Sequence, residues 1–243
     1  MRYRSVLYSQ YFTNQSGRAH TATQDQKFQS EKKQFAREIL PLIPSDKSIR
    51  ILDLGCGIGS LLAALKEDQF LNVKGIDVSP EQVEIAHAFG IPEVECIDIR
   101  DFFMREQLAF DLICGMDIIE HFTKDELVDL LQLIRTHLKP GGIVIFRTPN
   151  ADAPSGSIFA QGDFTHETIL NANSSEQLLM AVGFQDIRVL PAHIEVQGLI
   201  REVLRKAMWT CYLGFQKLLL FSSGRSSKQV VFTPNLILMG RRV

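Results

Sequence analysis

Leu52-Asp53-Leu54-Gly55-Cys56-Gly57-Ile58-Gly59 is the stretch that decides the fold. The apolar run Ile49 to Leu54 carries one acid into a turn of three alternating glycines. Ser60, a plausible N-cap, then opens a helical segment to Glu67. Glycine lets backbone approach a ligand closely, because no side chain intervenes. A dinucleotide fingerprint wants its third glycine one residue later, where Ser60 stands. Asp53 ahead of the turn repels a pyrophosphate and suits a cationic group such as an amine. A positively charged aminoacyl ligand therefore fits this turn better than a dinucleotide.

Outward from the turn, short apolar strands alternate with helices. Strands are expected at Val73–Ile76, Val94–Ile97, Phe110–Cys114 and Ile143–Thr148. Pro80 suits the first turn of one helix, and Lys139-Pro140-Gly141-Gly142 reads as the stop of the long helix Thr123–Leu138. This alternation predicts βαβ units and a parallel sheet, with ligands beyond the carboxyl ends of its strands. Asp77 ends the second strand in Gly75-Ile76-Asp77-Val78-Ser79, where a carboxylate can accept from both ribose hydroxyls; a helix-capping acid is the alternative. Asp98 can accept from an adenine amine while Ile99 packs on the ring, or it is a surface aspartate before a helix. The strand from Phe110 runs out into Asp117, Ile118, Glu120 and His121 at the expected catalytic rim.

In this order the motifs resemble the class I S-adenosylmethionine-dependent methyltransferases, over Ile49 to Arg147. The resemblance implies a Rossmann-like α/β fold. Its seven-stranded, mostly parallel sheet carries helices on both faces, an antiparallel last strand and a helical insertion before that strand. The implied cofactor is S-adenosylmethionine. Gly55, Gly57 and Gly59 would line its methionine and ribose, and Asp53 would sit under the amino group. Asp77 and Val78 belong to the ribose wall, Asp98 and Ile99 to the adenine, and Asp117 and Ile118 to the methionine end. The loop Gly162-Asp163-Phe164-Thr165-His166-Glu167, the segment after Ser174 and Gly183-Phe184 are similar to methyltransferases of bacterial polysaccharide and natural-product clusters. That likeness favours O-methylation of a saccharide or another small-molecule hydroxyl.

A hydroxyl acceptor needs a base as attack proceeds. His166 and His121 are the candidates, because imidazole titrates near neutral pH. Each is otherwise a structural hydrogen-bonder. Asp163 is placed with them among the catalytic candidates, to orient His166 or to bind acceptor together with Glu167. Residues 1–30 read as an arm or lid, with Tyr8, Tyr11 and Phe12 folding over the acceptor or merely packing. Residues 31–243 read as the catalytic domain, with an acceptor loop at 149–173 and an amphipathic helical insertion at 198–228.

In 199–221, Ile200, Val203, Leu204, Ala207, Met208, Cys211, Tyr212 and Phe215 fall at helical spacing, with Arg201, Arg205, Lys206 and Lys217 off the stripe. Such a helix lies on a membrane surface, forms a homodimer face or packs on its own domain. A lipid-linked saccharide as acceptor would suit contact with the inner membrane.

The bulk properties are consistent with this reading. The 243 residues are 45% hydrophobic and 22% charged, with a formal net charge of -2, which gives no global field to hold nucleic acid. No NPPY-like amine-orienting motif is found. Cys56, Cys96, Cys114 and Cys211 form no CxxC pair and read as small buried hydrophobes in a reducing cytoplasm, and no metal site is expected. Met1-Arg2-Tyr3-Arg4 is not followed by the apolar core of a secretory signal. Two other readings stay open: an enzyme that uses the same cofactor without methyl transfer, for instance by cyclising its aminobutyl chain, and a relative that only binds it.

Overall fold

β1, Ile51–Leu54, is buried at every position, because alternate residues feed two different cores. Ile51 joins the core on one face of the sheet, and Leu52 and Leu54 join the core on the other. A strand covered on both faces is written as a continuous apolar run, and Asp53 interrupts this one. In the computed structural model, residues 2–8, 11, 13, 23–154, 156–194, 196, 198–228 and 230–243 are described.

The remaining strands are β2 Val73–Asp77, β3 Val94–Cys96, β4 Phe110–Met116, β5 Leu138–Pro149, β6 Gln185–Pro191 and β7 Asn235–Arg241. They form one seven-stranded sheet in the order β3-β2-β1-β4-β5-β7-β6. All neighbours run parallel except β7, which is antiparallel to both β5 and β6. The expected fold class is therefore the observed one. The winding reverses between β1 and β4, and ligand crevices open at such a switch point.

The helices are α1 Arg2–Tyr8, α2 Gln24–Glu38, α3 Ser60–Glu67, α4 Pro80–Ala88, α5 Ile99–Arg105, α6 Lys124–His137, α7 Gly156–Ala160, α8 Ala172–Ala181 and α9 Leu199–Ser222. Several boundaries differ from the sequence reading. α2 begins at Gln24, because Thr23 and Gln26 form a reciprocal capping box, so position 30 falls inside a helix. α3 starts from Gly59 and not from a Ser60 cap. β5 begins at Leu138 and runs through Lys139-Pro140-Gly141-Gly142. Gly141 takes φ +78° there, and β4 and β5 shift register beside it. The proline and glycines kink a strand start as well as they stop a helix. Two cysteines, Cys96 and Cys211, are exposed and only Cys56 and Cys114 are buried, so the expectation of four buried thiols is corrected.

α9 is a 24-residue helix without a single buried residue. Ile200, Val203, Leu204, Met208 and Phe215 of the expected stripe are exposed, so among the described residues none covers them. No helix among the described residues is long and apolar enough to cross a membrane.

Candidate active site

The glycine turn is held by the end of the neighbouring strand. Cys56 N–H donates to the Ile76 carbonyl at 3.0 Å. Gly57 N–H donates to Asp77 Oδ2 at 2.9 Å, and Ser79 N–H donates to Asp77 Oδ1 at 2.8 Å. Asp77 thus caps α4 and ties β2 to the turn, yet each oxygen keeps a lone pair for a further donor. Gly55, at φ +62°, leaves room for Ile118: a Cβ there would meet Ile118 Cδ1 at 2.6 Å. Gly57 lines the cleft with Gly55. Gly59 does not. It lies behind the turn, where a Cβ would press on Ile91 at 3.3 Å, so its place among the ligand-lining glycines is corrected to helix packing.

Asp53 is the most unusual group at this end. It is 2% exposed, and its Oδ1 has no hydrogen-bond partner. Burial, reinforced by nearby Asp77, pushes its carboxyl up to about 8. An unpaired buried carboxylate is costly unless a cation answers it. Val78, Asp98 and Ile99 line the same cleft from β2 and from the start of α5. Asp98 also caps α5, accepting from Arg100 N–H at 2.7 Å.

The opposite end is built from the strand β4 and the loop after β5. Asp117, at φ +54°, turns the chain out of β4. Arg147 bridges it to Glu38: Nε reaches Asp117 Oδ1 at 3.1 Å and Nη1 reaches Glu38 Oε2 at 3.2 Å. The Glu120 carbonyl accepts from Glu167 and Thr168 N–H at 2.8 and 3.0 Å, which docks the loop against the 3-10 turn Ile119–His121. This docking brings His166 against His121, with ring centroids 4.9 Å apart. Burial, then the neighbouring His166, pushes His121 down to about 4. Burial raises the Asp163 carboxyl, but hydrogen bonds from Tyr11 and Thr165 outweigh it and hold the group below its ordinary value.

Tyr8 and Tyr11 close over this end. Their rings lie 6.2 and 6.1 Å from His121, and Tyr11 OH donates to Asp163 Oδ2 at 2.7 Å. Arg4 fastens α1 to the rim by a bidentate contact to Glu126, 2.8 Å at each nitrogen, and by a 2.9 Å bond to the His121 carbonyl. Glu167 accepts from Tyr3 OH, which ties its loop to α1, and it does not line the cleft. Phe12 lies outside the described residues.

Both ends open into one cleft of about 990 Å³. That is room for a nucleoside-sized ligand and a second small molecule together. The residues fit S-adenosylmethionine: an orphaned buried carboxylate awaits an ammonium beside a close-approach turn, and strand-end acids stand one strand over. Sequence reasoning missed Arg147, Glu38, Arg4 and Thr165. A lone arginine inside the apolar run of β5 was the available signal for the first of these.

Residues 26–189 match the family described as Methyltransferase domain. The chain belongs to this methyltransferase family. Its cofactor is S-adenosylmethionine. A similar relative is trans-aconitate 2-methyltransferase of Azoarcus sp. (strain BH72), 33% identical over 131 residues, 53% of this chain and 51% of that one. Another is ubiquinone biosynthesis O-methyltransferase of Chromobacterium violaceum, 33% identical over 109 residues, 43% of this chain and 46% of that one. The match thus spans about half the length of these curated relatives. Two solved structures share the fold. One is a SAM-dependent methyltransferase from Archaeoglobus fulgidus (TM-score 0.69, 19% identity, 96% of this chain and 99% of that one). The other is magnesium protoporphyrin IX methyltransferase from Synechocystis with bound SAH (TM-score 0.61, 15% identity, 98% and 97%).

For this methyltransferase, Gly55→Ala is expected to destabilise the fold by about 2 kcal/mol, since a left-handed alanine is strained and its Cβ drives into Ile118. Urea unfolding reads the stability, and calorimetry with S-adenosylhomocysteine reads the accompanying loss of affinity. Unchanged values would mean that Ile118 moves aside freely.

Proposed function

We propose that the enzyme methylates a hydroxyl of a small-molecule acceptor, a saccharide or similar polyol first among them. The observation that carries this reading is the single cleft with an unpaired buried carboxylate at one end and an aromatic-covered imidazole pair at the other. When bound, S-adenosylmethionine supplies an electrophilic methyl on a cationic sulfur. Asp53 holds the amino group. Asp77 offers its spare lone pairs to the ribose, with Val78 beside it. Asp98 and Ile99 take the adenine, the Gly55 and Gly57 backbone lies along the ligand, and Asp117 and Ile118 bound the methionine end.

At the other end the protein aligns the acceptor, excludes water and receives a proton. His166 is the base. Its Nδ1 is 2.9 Å from the Ala160 carbonyl, an acceptor, so Nδ1 carries the hydrogen and Nε2 keeps its lone pair. His121 and Asp163 are positioning residues. Tyr8 and Tyr11 act as the lid that keeps water out.

Labelled S-adenosylmethionine, offered with saccharides, catechols and small carboxylic acids, tests the reading. S-adenosylhomocysteine together with an O-methylated saccharide is expected. Release of methylthioadenosine would show cyclisation instead, and methyl ester formation would move the acceptor to the carboxylate class.

The exposed stripe of α9 is assigned to the surface of an anionic membrane on the cytoplasmic side, where a lipid-linked acceptor would be met. Exposed Arg201, Lys206 and Lys217 supply the attraction and Met208 and Phe215 the apolar contact. Cosedimentation with phosphatidylglycerol vesicles is expected, with loss on Met208→Glu/Phe215→Glu. Concentration-dependent dimers that ignore vesicles would give the face to a second copy.

A further inference from the structure

The end of the cleft away from the cofactor turn holds a trio of potential metal donors. Glu120, His121 and His166 each offer a donor atom, and these atoms lie within 4.8 Å of one another. Glu120 is 2% exposed. Its Oε2 accepts from Thr148 OH at 3.0 Å, but its Oε1 is buried with no partner at all. A carboxylate oxygen left bare beside two imidazoles in a closed site is answered by a proton or by a cation.

The hydrogen bonds around the two rings favour the cation. Thr165 OH donates to Asp163 Oδ1 at 2.7 Å, so its oxygen is left to accept from His121 Nδ1, 2.8 Å away. His166 Nδ1 likewise faces the Ala160 carbonyl at 2.9 Å. Both rings therefore carry hydrogen on Nδ1 and keep a lone pair on Nε2. Orienting a ligating imidazole through its other nitrogen is the standard support around bound metals. Among the described residues, the nearby cations Arg4 and Arg147 are already balanced, Arg4 by Glu126 and Arg147 by Glu38 and Asp117.

We propose that Glu120, His121 and His166 form a site for a divalent transition-metal ion that also ligates the acceptor oxygen. Two nitrogens and one carboxylate suit Zn2+, Mn2+ or Fe2+ better than Mg2+ or Ca2+, which prefer all-oxygen shells. Bonds of about 2.1 Å place tetrahedral donors roughly 3.4 Å apart, so binding draws the three together by an ångström or so. His166, only partly buried, is the arm that swings. The remaining coordination positions face the cleft, where a bound hydroxyl loses its proton more readily. A nitrogen that binds the ion cannot also take that proton. An occupied site therefore replaces the general-base step of His166 with Lewis-acid activation, in which the metal-bound hydroxyl gives its proton to solvent water before its oxygen takes the methyl, while the cofactor end works unchanged. The inference rests on the reading of this end as the acceptor compartment.

Zn2+ and Co2+, added singly to the full chain without cofactor or acceptor, test it. One equivalent is expected to bind by calorimetry. The Co2+ form is expected to show visible absorption that Glu120→Gln abolishes. Glu120→Gln and His166→Ala should each weaken Zn2+ binding by about 100-fold, the upper end of what loss of even a supporting partner causes. Far-ultraviolet circular dichroism and S-adenosylhomocysteine affinity confirm that each variant is folded and keeps its cofactor end, which separates failure here from failure of the functional reading. No stoichiometric binding by the folded wild type, or wild-type Zn2+ affinity retained in both variants, overturns the site.

Discussion

Asp53→Asn is expected to weaken S-adenosylhomocysteine binding by about 100-fold, close to 2.7 kcal/mol, and yet to stabilise the ligand-free protein at pH 8. The affinity loss follows from removing the charge that answers the ligand's ammonium. The stability gain follows from linkage. An aspartate titrates near 3.8 when unfolded and is pushed up to about 8 in the fold, so the native state holds its proton more tightly. Stability from this group is complete below about pH 4 and drains away as pH rises through about 8. Asparagine carries no such charge, so its curve stays flat over that window. A gain of about 2 kcal/mol at pH 8 corresponds to roughly 5 °C in Tm. Near pH 7 wild-type binding should also release a proton, making its enthalpy depend on the buffer, whereas the variant's should not. Equal affinity in the two proteins would remove Asp53 from the ligand's surroundings.

Arg147→Met is expected to destabilise the protein by about 3 kcal/mol, lowering Tm by roughly 10 °C. The methionine keeps most of the packing over Phe35, whose ring centre lies 4.9 Å from the guanidinium carbon. The cost is electrostatic: the Glu38 side chain, fully buried, would retain only its 3.0 Å bond from Gln34. Adding Glu38→Gln should restore most of the loss, because the pair is removed together. If the double variant is as unstable as the single one, the arginine acts through shape and not through charge. Asp117 loses the same partner, so cofactor affinity should fall in both variants and the double variant should rescue stability only.

The parts of this protein that were legible in the sequence are those where local chemistry and global fold agree. Glycine spacing, strand-end acids and alternating strands are local patterns, and they place Asp53 in β1 and Asp77 at the end of β2, while Asp98 falls two residues past β3 as a helix cap. What escaped depends on distant pairing. Arg147 is separated from Glu38 by most of the sheet in sequence, and Arg4 from Glu126 by the whole cofactor-binding half. Gly59 carries the same letter as Gly55 and Gly57, but its neighbour is Ile91, which no spacing rule reveals. Lys139-Pro140-Gly141-Gly142 has the composition of a helix stop, while the ladder with β7 decides that it is strand. The sequence singles out both histidines, whereas Glu120 reads there only as part of the rim.

Arg4 grips the segment that carries His121 while Tyr11 grips the loop that carries His166. The first helix and the histidine-bearing end of the cleft are thus stitched to each other and not merely stacked. A molecule too large to pass beneath the first helix has to unfasten a two-pronged ion pair before it can leave. On the function proposed above, departure of the methylated product depends on how often that clasp opens, and release is expected to quicken with added salt.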